Sequence, residues 1–195
     1  MKKIIIILII VYCSLLDAQA QKKGTFTDVR DGRVYKTVTI GTQTWMAENL
    51  AFKASSGCWA YNNDTSKVAI YGYLYDWETA KKVSPSSWHL PSDEEWKTLI
   101  TYLGGEDRAG GKLKSSSVCG KPNTGATDSS GFSVQLGGFR YDNDSFFYVG
   151  YIGYWWTTNE YDTYAYYRYM SSVNNNIFST FCWKEYGLSV RCVKD

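Results

Sequence analysis

The side chains best suited to chemistry in this 195-residue chain are one histidine and five cysteines. The histidine, His89, lies between Trp88 and Leu90. A nucleophilic triad or a histidine-rich metal site needs partners around such a base, and no convincing set can be assembled from the sequence. A lone histidine beside apolar residues is more often a hydrogen-bonded structural residue than a base. We therefore predict no catalytic residue and no enzyme activity.

The cysteines indicate structural bridges rather than catalysis. Beyond the first twenty residues the chain carries Cys58, Cys119, Cys182 and Cys192. No two of them have the C-x-x-C spacing of a redox motif or a zinc ribbon. In an exported protein, four cysteines favour two disulfides, and three connectivities are open. The alternative is that some stay free, because a core of this size does not need covalent support.

Two clusters of oxygen-bearing side chains have ligands suited to calcium. They are Asn-Asn-Asp at residues 62–64 and Asp-Asn-Asp at residues 142–144. Such residues are equally typical of solvated turns, because Asn and Asp bond their own backbone and tolerate the left-handed conformation. We favour turns, and predict no metal and no cofactor.

One helix is well marked, and His89 lies just before it. Ser92 and Glu95 have the spacing of a capping box, in which each side chain bonds the backbone N–H of the other residue. Apolar residues then recur at helical spacing, and two glycines supply a positive-φ end. The stripe is Trp96, Leu99, Ile100 and Leu103, and the glycines are Gly104 and Gly105.

The first twenty residues have the pattern of a secretory signal. Lys2 and Lys3 precede an apolar run at residues 4–12, and an A-x-A site predicts cleavage after Ala20. Lipid attachment at Cys13 is less favoured, because bulky Tyr12 lies where such a site has a small residue. We expect an exported protein that is secreted, periplasmic or attached to the cell surface.

The remaining chain has the composition of a folded extracellular domain. Without Lys2, Lys3 and Asp17, the 21 basic and 19 acidic residues become 19 and 18. This near balance, without a basic stripe, excludes nucleic acid as the expected partner. No later segment reaches the roughly twenty apolar residues of a membrane-spanning helix. We predict a polar arm at residues 21–33 and a single domain at residues 34–195.

The order of elements predicts an α+β fold. Alternation at residues 34–46 around Gly41 indicates a hairpin of two short strands. Tyr73, Trp77 and Ala80 share one helical face, which predicts a helix within residues 71–83 ahead of the capped one. Beyond Gly105 no long helical period appears, and short aromatic runs predict antiparallel strands.

Several ordered stretches resemble the Fibrobacter succinogenes major paralogous domain, a family of exported bacterial domains. The resemblance implies a C-type-lectin-like fold, similar to that of formylglycine-generating enzymes, with an N-terminal hairpin, two helices and then short antiparallel strands. The matching stretches are DGRVYKTVTIGTQTWMAENL at 31–50, YGYLYDWETA at 71–80, WHLPSDEEWKTL at 88–99, GATDSSGFSVQLGGFR at 125–140, YWWTT at 154–158 and GLSVRCVKD at 187–195.

The sequence departs from these relatives at functional positions. The family usually carries a cysteine just before its WHLP block, where this chain has Ser84, so Cys192 lacks that partner. With the resemblance as a guide, we expect Cys119 to pair with Cys182 and Cys58 with Cys192. The closely spaced cysteine pair of the enzymes is absent. The calcium-binding motifs of sugar-binding lectins are also absent, because Lys121 replaces their carboxylate and no W-N-D triplet follows.

The aromatic content indicates a binding function. The chain has 17 Tyr and 8 Trp, and nine of the tyrosines lie within residues 141–169. Tyrosine rings that are not buried supply rigid, amphipathic contact area for sugars or proteins. We expect Tyr148, Tyr151, Tyr161 and Tyr164 to form an exposed patch that binds a glycan or a surface protein. The alternatives are an oxidase-type enzyme related to formylglycine-generating enzymes, and a structural subunit of a surface assembly.

Overall fold

The structure is a computed structural model that describes residues 21–117 and 120–195. The described part is rich in strands and contains a few short helices. The strands are β1 (Lys23–Thr27), β2 (Val34–Ile40), β3 (Gln43–Met46), β4 (Cys58–Trp59), β5 (Leu74–Tyr75), β6 (Trp88–His89), β7 (Gly137–Arg140), β8 (Phe146–Val149), β9 (Ile152–Tyr161), β10 (Tyr164–Ser171), β11 (Ile177–Trp183), β12 (Leu188–Ser189) and β13 (Val193–Lys194). The helices are α1 (Val68–Tyr71), α2 (Trp77–Ala80), α3 (Asp93–Tyr102) and α4 (Glu106–Leu113), with short 3-10 helices at Tyr61–Asn63 and Thr65–Lys67.

Most of the strands form two sheets. The first has the order β1-β2-β3-β13-β6, and the second has the order β11-β10-β9-β12-β5-β4. The C-terminal strand β13 pairs with both β3 and β6, where Val193 lies opposite Trp45 and His89. The two ends of the described chain therefore meet in one sheet.

The predicted N-terminal hairpin is confirmed. Strands β2 and β3 pair antiparallel, and Gly41 in the turn has a φ of +59°. The polar arm at residues 21–33 is more ordered than we expected, because β1 pairs along the edge of β2. Its pattern carried little signal, since backbone pairing at an edge needs few apolar side chains. In β1 Phe26 packs against Trp88, with ring centroids 5.2 Å apart.

The predicted capped helix is confirmed as α3. The Ser92 hydroxyl accepts a hydrogen bond from the Glu95 N–H at 3.2 Å, and the Glu95 carboxylate accepts from the Ser92 N–H at 2.7 Å. The predicted stripe is buried: Trp96, Leu99, Ile100 and Leu103. Gly104 and Gly105 both have a positive φ.

The helix predicted within residues 71–83 is shorter than expected. Within this range Tyr71 is the last residue of α1, Leu74–Tyr75 is the strand β5, and helix resumes only for the four residues of α2. Asp76 separates β5 from α2, because its side chain accepts from the Thr79 N–H at 2.7 Å and starts the helix there.

The expectation of no helix beyond Gly105 is wrong, because α4 follows directly. Its sequence, EDRAGGKL, contains two glycines that weaken helix propensity. The tertiary structure requires them: a β-carbon on Gly110 would lie 2.5 Å from the backbone oxygen of Asn175. The two glycines therefore weaken the helical pattern in the sequence and also allow the close contact of α4 with the loop after β10.

The predicted antiparallel arrangement of the second half is confirmed in β9, β10 and β11. Two buried cores flank this part of the sheet. Adjacent residues of β9 face opposite sides, since Trp155 belongs to one core and Trp156 to the other. Both indoles are fully buried.

A buried polar network connects elements that are distant in sequence. The Asn49 side-chain oxygen accepts from Trp155 Nε1 at 2.9 Å and from Arg191 Nε at 3.1 Å. Arg191 Nη1 also donates to the backbone oxygens of Phe132 and Met46, at 3.0 and 3.3 Å. Burial lowers the pKa of Arg191 to about 9, because its charge lies away from water.

None of the helices in the described ranges 21–117 and 120–195 has the length and apolar character needed to cross a membrane. The predicted signal, with its cleavage site after Ala20 and the alternative lipid site at Cys13, lies outside the described residues. So does Cys119.

Candidate ligand-binding site

Both ring nitrogens of His89 are engaged by carboxylates. Nδ1 lies 2.6 Å from Asp195 Oδ1, and Nε2 lies 2.7 Å from Glu95 Oε1. Glu95 is also the capping residue of α3. His89 therefore ties the start of α3 to the last residue of the chain, which is the structural role that the sequence favoured.

This contact predicts a pH-dependent stability. Burial alone would lower the pKa of His89, but hydrogen bonds to Asp195 and Glu95 outweigh it and raise the pKa above 6.5. A raised folded-state pKa means that the stabilisation is complete below 6.5 and is lost as pH rises through the folded value. Burial would raise the pKa of Glu95, but bonds from Ser92 and His89 lower it below 4.5, so its contribution is lost as pH falls.

We expect His89→Gln to flatten the alkaline side of this profile. From about pH 6 to about pH 9, the free energy of unfolding should fall more steeply in the unmodified protein than in the variant, because only the former loses a proton from His89. Urea unfolding across that range measures both slopes. Parallel slopes would contradict the proposed linkage.

A small cavity lined by aromatic rings lies on one face of the second sheet, and we call it the aromatic pocket. Its volume is about 150 Å³. The register places Tyr167 of β10 opposite Trp156 of β9, and Tyr154 opposite Tyr169, so both lining tyrosines share one face. The lining residues are Phe139, Tyr148, Tyr154, Tyr167, Cys182, Tyr186 and Leu188.

Phe139 on β7 is the central ring of the aromatic pocket. Its centroid lies 5.2 Å from that of Tyr154, 6.0 Å from Tyr186 and 6.1 Å from Tyr148. Tyr154 in turn lies 5.7 Å from Tyr167. These separations are within the range of favourable ring contacts, so the walls support one another before any ligand is present.

Tyr148 is the most exposed ring of the lining and has an unusual backbone. Its side chain is 53% exposed, and its φ is +65°. A positive φ is unfavourable for a bulky side chain and persists where the surrounding structure enforces it. Here a turn enforces it, since the Tyr148 carbonyl accepts from the Tyr151 N–H at 2.9 Å. Strain of this kind occurs preferentially at functional sites.

The hydroxyls of Tyr154 and Tyr167 and the thiol of Cys182 are protonated at neutral pH. Burial raises the pKa of Tyr167 to about 12 and also raises the pKa of Tyr154. Burial likewise raises the pKa of the Cys182 thiol. The hydroxyls can therefore donate hydrogen bonds, whereas the thiol lacks the thiolate form that a nucleophile or metal ligand needs.

The four tyrosines predicted to form one exposed patch lie in two pairs at opposite ends of β9: Tyr148 and Tyr151 in the turn before it, and Tyr161 and Tyr164 at the β9–β10 hairpin turn. Tyr148 lies in the aromatic pocket, whereas Tyr151 and Tyr161 are exposed outside its lining, at 58% and 70%. Tyr164 lies opposite Tyr161 and is half-buried against Trp183, with ring centroids 4.4 Å apart. The prediction of a single patch is wrong, because the ten-residue strand β9 separates the two pairs of tyrosines.

Sequence reasoning missed most of the lining of the aromatic pocket. Tyr154 and Tyr167 have alternation as a signal, but the register shifts between Ala165 and Tyr167, so a period of two fails there. Cys182 was interpreted as a disulfide partner. Phe139 and Tyr186 reach the pocket from β7 and from the segment before β12, and no local pattern relates them.

The expected pairing of Cys58 with Cys192 is wrong. Cys58, Cys182 and Cys192 are free thiols in the described chain. Cys192 instead lies beside Ser84, with Sγ and Oγ 3.4 Å apart. Residue 84 is the position where the family resemblance implied a cysteine, so Cys192 lies beside the residue that stands in place of its implied partner.

The two oxygen-rich clusters are turns, as the sequence favoured. The Asp64 side chain accepts from the Ser66 N–H at 3.0 Å, and the Asn143 side chain accepts from the Ser145 N–H at 3.1 Å. Asp144 pairs with Arg140. Within the described ranges, no three His, Cys, Asp or Glu side chains are grouped so that they could hold a metal ion.

Comparison with known proteins gives one match. The model of the Fibrobacter succinogenes major domain matches residues 38–194. Neither the curated proteins nor the solved structures include one that matches the chain.

Proposed function

The chain belongs to the Fibrobacter succinogenes major domain family, and from this premise we propose that it is an exported, non-catalytic binding domain. Its ligand is a glycan or a surface protein, held at the aromatic pocket. The observation that carries the proposal is a half-exposed Tyr148, on a strained backbone, in a cavity walled by four further rings.

The chemistry of the aromatic pocket suits binding. Rings supply large contact area at low entropic cost, and the tyrosine hydroxyls add hydrogen bonds that set orientation. The protonated Cys182 thiol offers no activated nucleophile beside them. The aromatic pocket can therefore bind and orient a ligand group.

A C-type-lectin-like fold is the finer architecture that we propose. The order of hairpin, helices and strands supports it, as does the insertion of β13 between β3 and β6, which joins the two ends of the domain. Such a frame displays loops on a rigid support, which favours recognition. The signal pattern of residues 1–20 supports export.

We expect Tyr148→Ala to abolish or strongly reduce ligand binding. Truncation of an aromatic side chain that anchors a ligand typically costs 2 kcal/mol or more, which is roughly a thirtyfold loss of affinity. The measurement is binding of residues 21–195 to a glycan array and to surface-protein extracts, followed by titration of the best ligand.

Tyr102→Ala is the matched control, because Tyr102 on α3 is 54% exposed and lies outside the aromatic pocket. It should leave binding unchanged. If Tyr164→Ala removes binding while Tyr148→Ala does not, the site lies at the end of the β9–β10 hairpin instead, and the proposed pocket is wrong.

A further inference from the structure

The lining of the aromatic pocket is mainly aromatic and carries no formal charge. It consists of five aromatic rings, one thiol and one leucine, and no charged or amide side chain is among the described residues that form it. Its volume of about 150 Å³ is well below the roughly 300–1,000 Å³ of cavities that hold a whole small molecule. The pocket therefore has room for one compact end group of a ligand.

The rings form walls rather than a flat platform. The planes of Phe139 and Tyr154 meet at 65°, and those of Tyr154 and Tyr167 at 61°. Tyr186 and Tyr148 lie nearly parallel to Phe139, at 25° and 28°. Among the described lining residues, hydrogen-bonding groups are limited to the tyrosine hydroxyls and the Cys182 thiol, so the group deepest in the pocket has few polar partners.

The rings that line the aromatic pocket favour a positively charged group. Ring faces carry negative charge density, which attracts cations. A positive group would therefore be favoured in this cavity over a neutral or negative one.

We propose that the aromatic pocket binds a quaternary ammonium group, such as the trimethylammonium end of choline. This inference rests on the proposed function, because it names the chemistry of the group that the same pocket holds. A methylated ammonium ion has apolar methyl groups that fit an apolar lining, and it needs no hydrogen-bond partner for its charge. A plain ammonium or guanidinium group would lose hydrogen bonds to water that these walls cannot replace.

Titration of residues 21–195 with choline and with tetramethylammonium tests the inference. The control ligand is the neutral isostere of choline in which carbon replaces nitrogen, at matched ionic strength. Calorimetry and tyrosine fluorescence should show choline binding about tenfold more tightly than the isostere, since a desolvated cation–π contact contributes roughly 1–2 kcal/mol. Equal affinity of the two ligands would overturn the inference, as would no binding of either ammonium compound.

Variants locate the binding site and distinguish the contribution of a tyrosine ring from that of its hydroxyl. Tyr186→Phe keeps the ring and should keep choline affinity within about twofold, whereas Tyr186→Leu and Tyr148→Ala should each lower it about tenfold. Tyr102→Ala should have no effect. Choline affinity that is unchanged in Tyr148→Ala, a substitution at an exposed side chain, would place the ligand elsewhere and overturn the inference.

The two proposals fail in distinguishable ways. If glycan or surface-protein binding depends on Tyr148 while choline and tetramethylammonium do not bind, the ammonium inference is wrong and the binding function stands. If Tyr148→Ala changes neither kind of binding, both proposals are wrong.

Discussion

Ser84→Cys should produce a disulfide with Cys192 and raise the free energy of unfolding by about 2–4 kcal/mol. Ser84 Oγ and Cys192 Sγ are already 3.4 Å apart, so a small adjustment brings the new thiol within bonding distance. The bridge would close a loop between residues 108 positions apart, which restricts the unfolded chain strongly. For a domain of this size, the melting temperature should rise by roughly 10 °C.

Thiol counting and unfolding with and without reductant check this result. Oxidised Ser84→Cys should carry one reactive thiol fewer, under denaturing conditions, than the unmodified protein. Joining the two thiols releases two protons and two electrons, so an added oxidant is required. Because burial raises the pKa of Cys192 to about 12, the oxidant has to act during folding, before the thiol is buried. Ser84→Ala is the control, and its stability should be close to that of the unmodified protein. A variant that gains a thiol and no stability would show that the two side chains cannot bridge.

Asn49→Leu should lower the free energy of unfolding by about 3–5 kcal/mol. The substitution removes the shared acceptor of Trp155 Nε1 and Arg191 Nε, both of which are fully buried. Arg191 Nη2 already has no hydrogen-bond partner among the residues that the structure describes, so the guanidinium loses support that it cannot regain from water. Chemical unfolding measures the loss, which corresponds to a melting temperature roughly 10 °C lower.

Asn143→Ala is the matched control for this network. Asn143 is exposed and bonds only its own turn through the Ser145 N–H, so its loss should cost under about 1 kcal/mol. Adding Arg191→Met to Asn49→Leu should cost less than the sum of the two single changes, because the charge that had been left unsupported is gone. Strict additivity would contradict the coupling of Asn49 with Arg191.

The same network connects three of the sequence stretches that resemble the family. Asn49 lies in the block at residues 31–50, Trp155 in the one at 154–158, and Arg191 in the one at 187–195. The structure brings these three blocks together through two hydrogen bonds to one amide oxygen. Their relation could not be deduced from one sequence, because more than 100 residues separate Asn49 from either partner.

Elements whose signals are local could be predicted from the sequence. The capping box at Ser92 and Glu95, the stripe that follows it and the hairpin turn at Gly41 involve neighbours within a few positions. Their geometry therefore depends little on the rest of the chain. The helix α4 could not be predicted in this way. Its glycines allow a close contact with the loop after β10, and they also weaken the local helical pattern.

The amino-acid sequence by itself determined the family, the α3 helix and its buried face, the N-terminal hairpin and the strand-rich second half. Only the tertiary structure decided that Cys192 lies against Ser84, that β13 inserts between β3 and β6, and that rings from five separate segments enclose one cavity. The physical reason is range: capping and periodicity act within one or two turns of chain, whereas pairing, burial and the environment of each ring depend on which distant strands become neighbours.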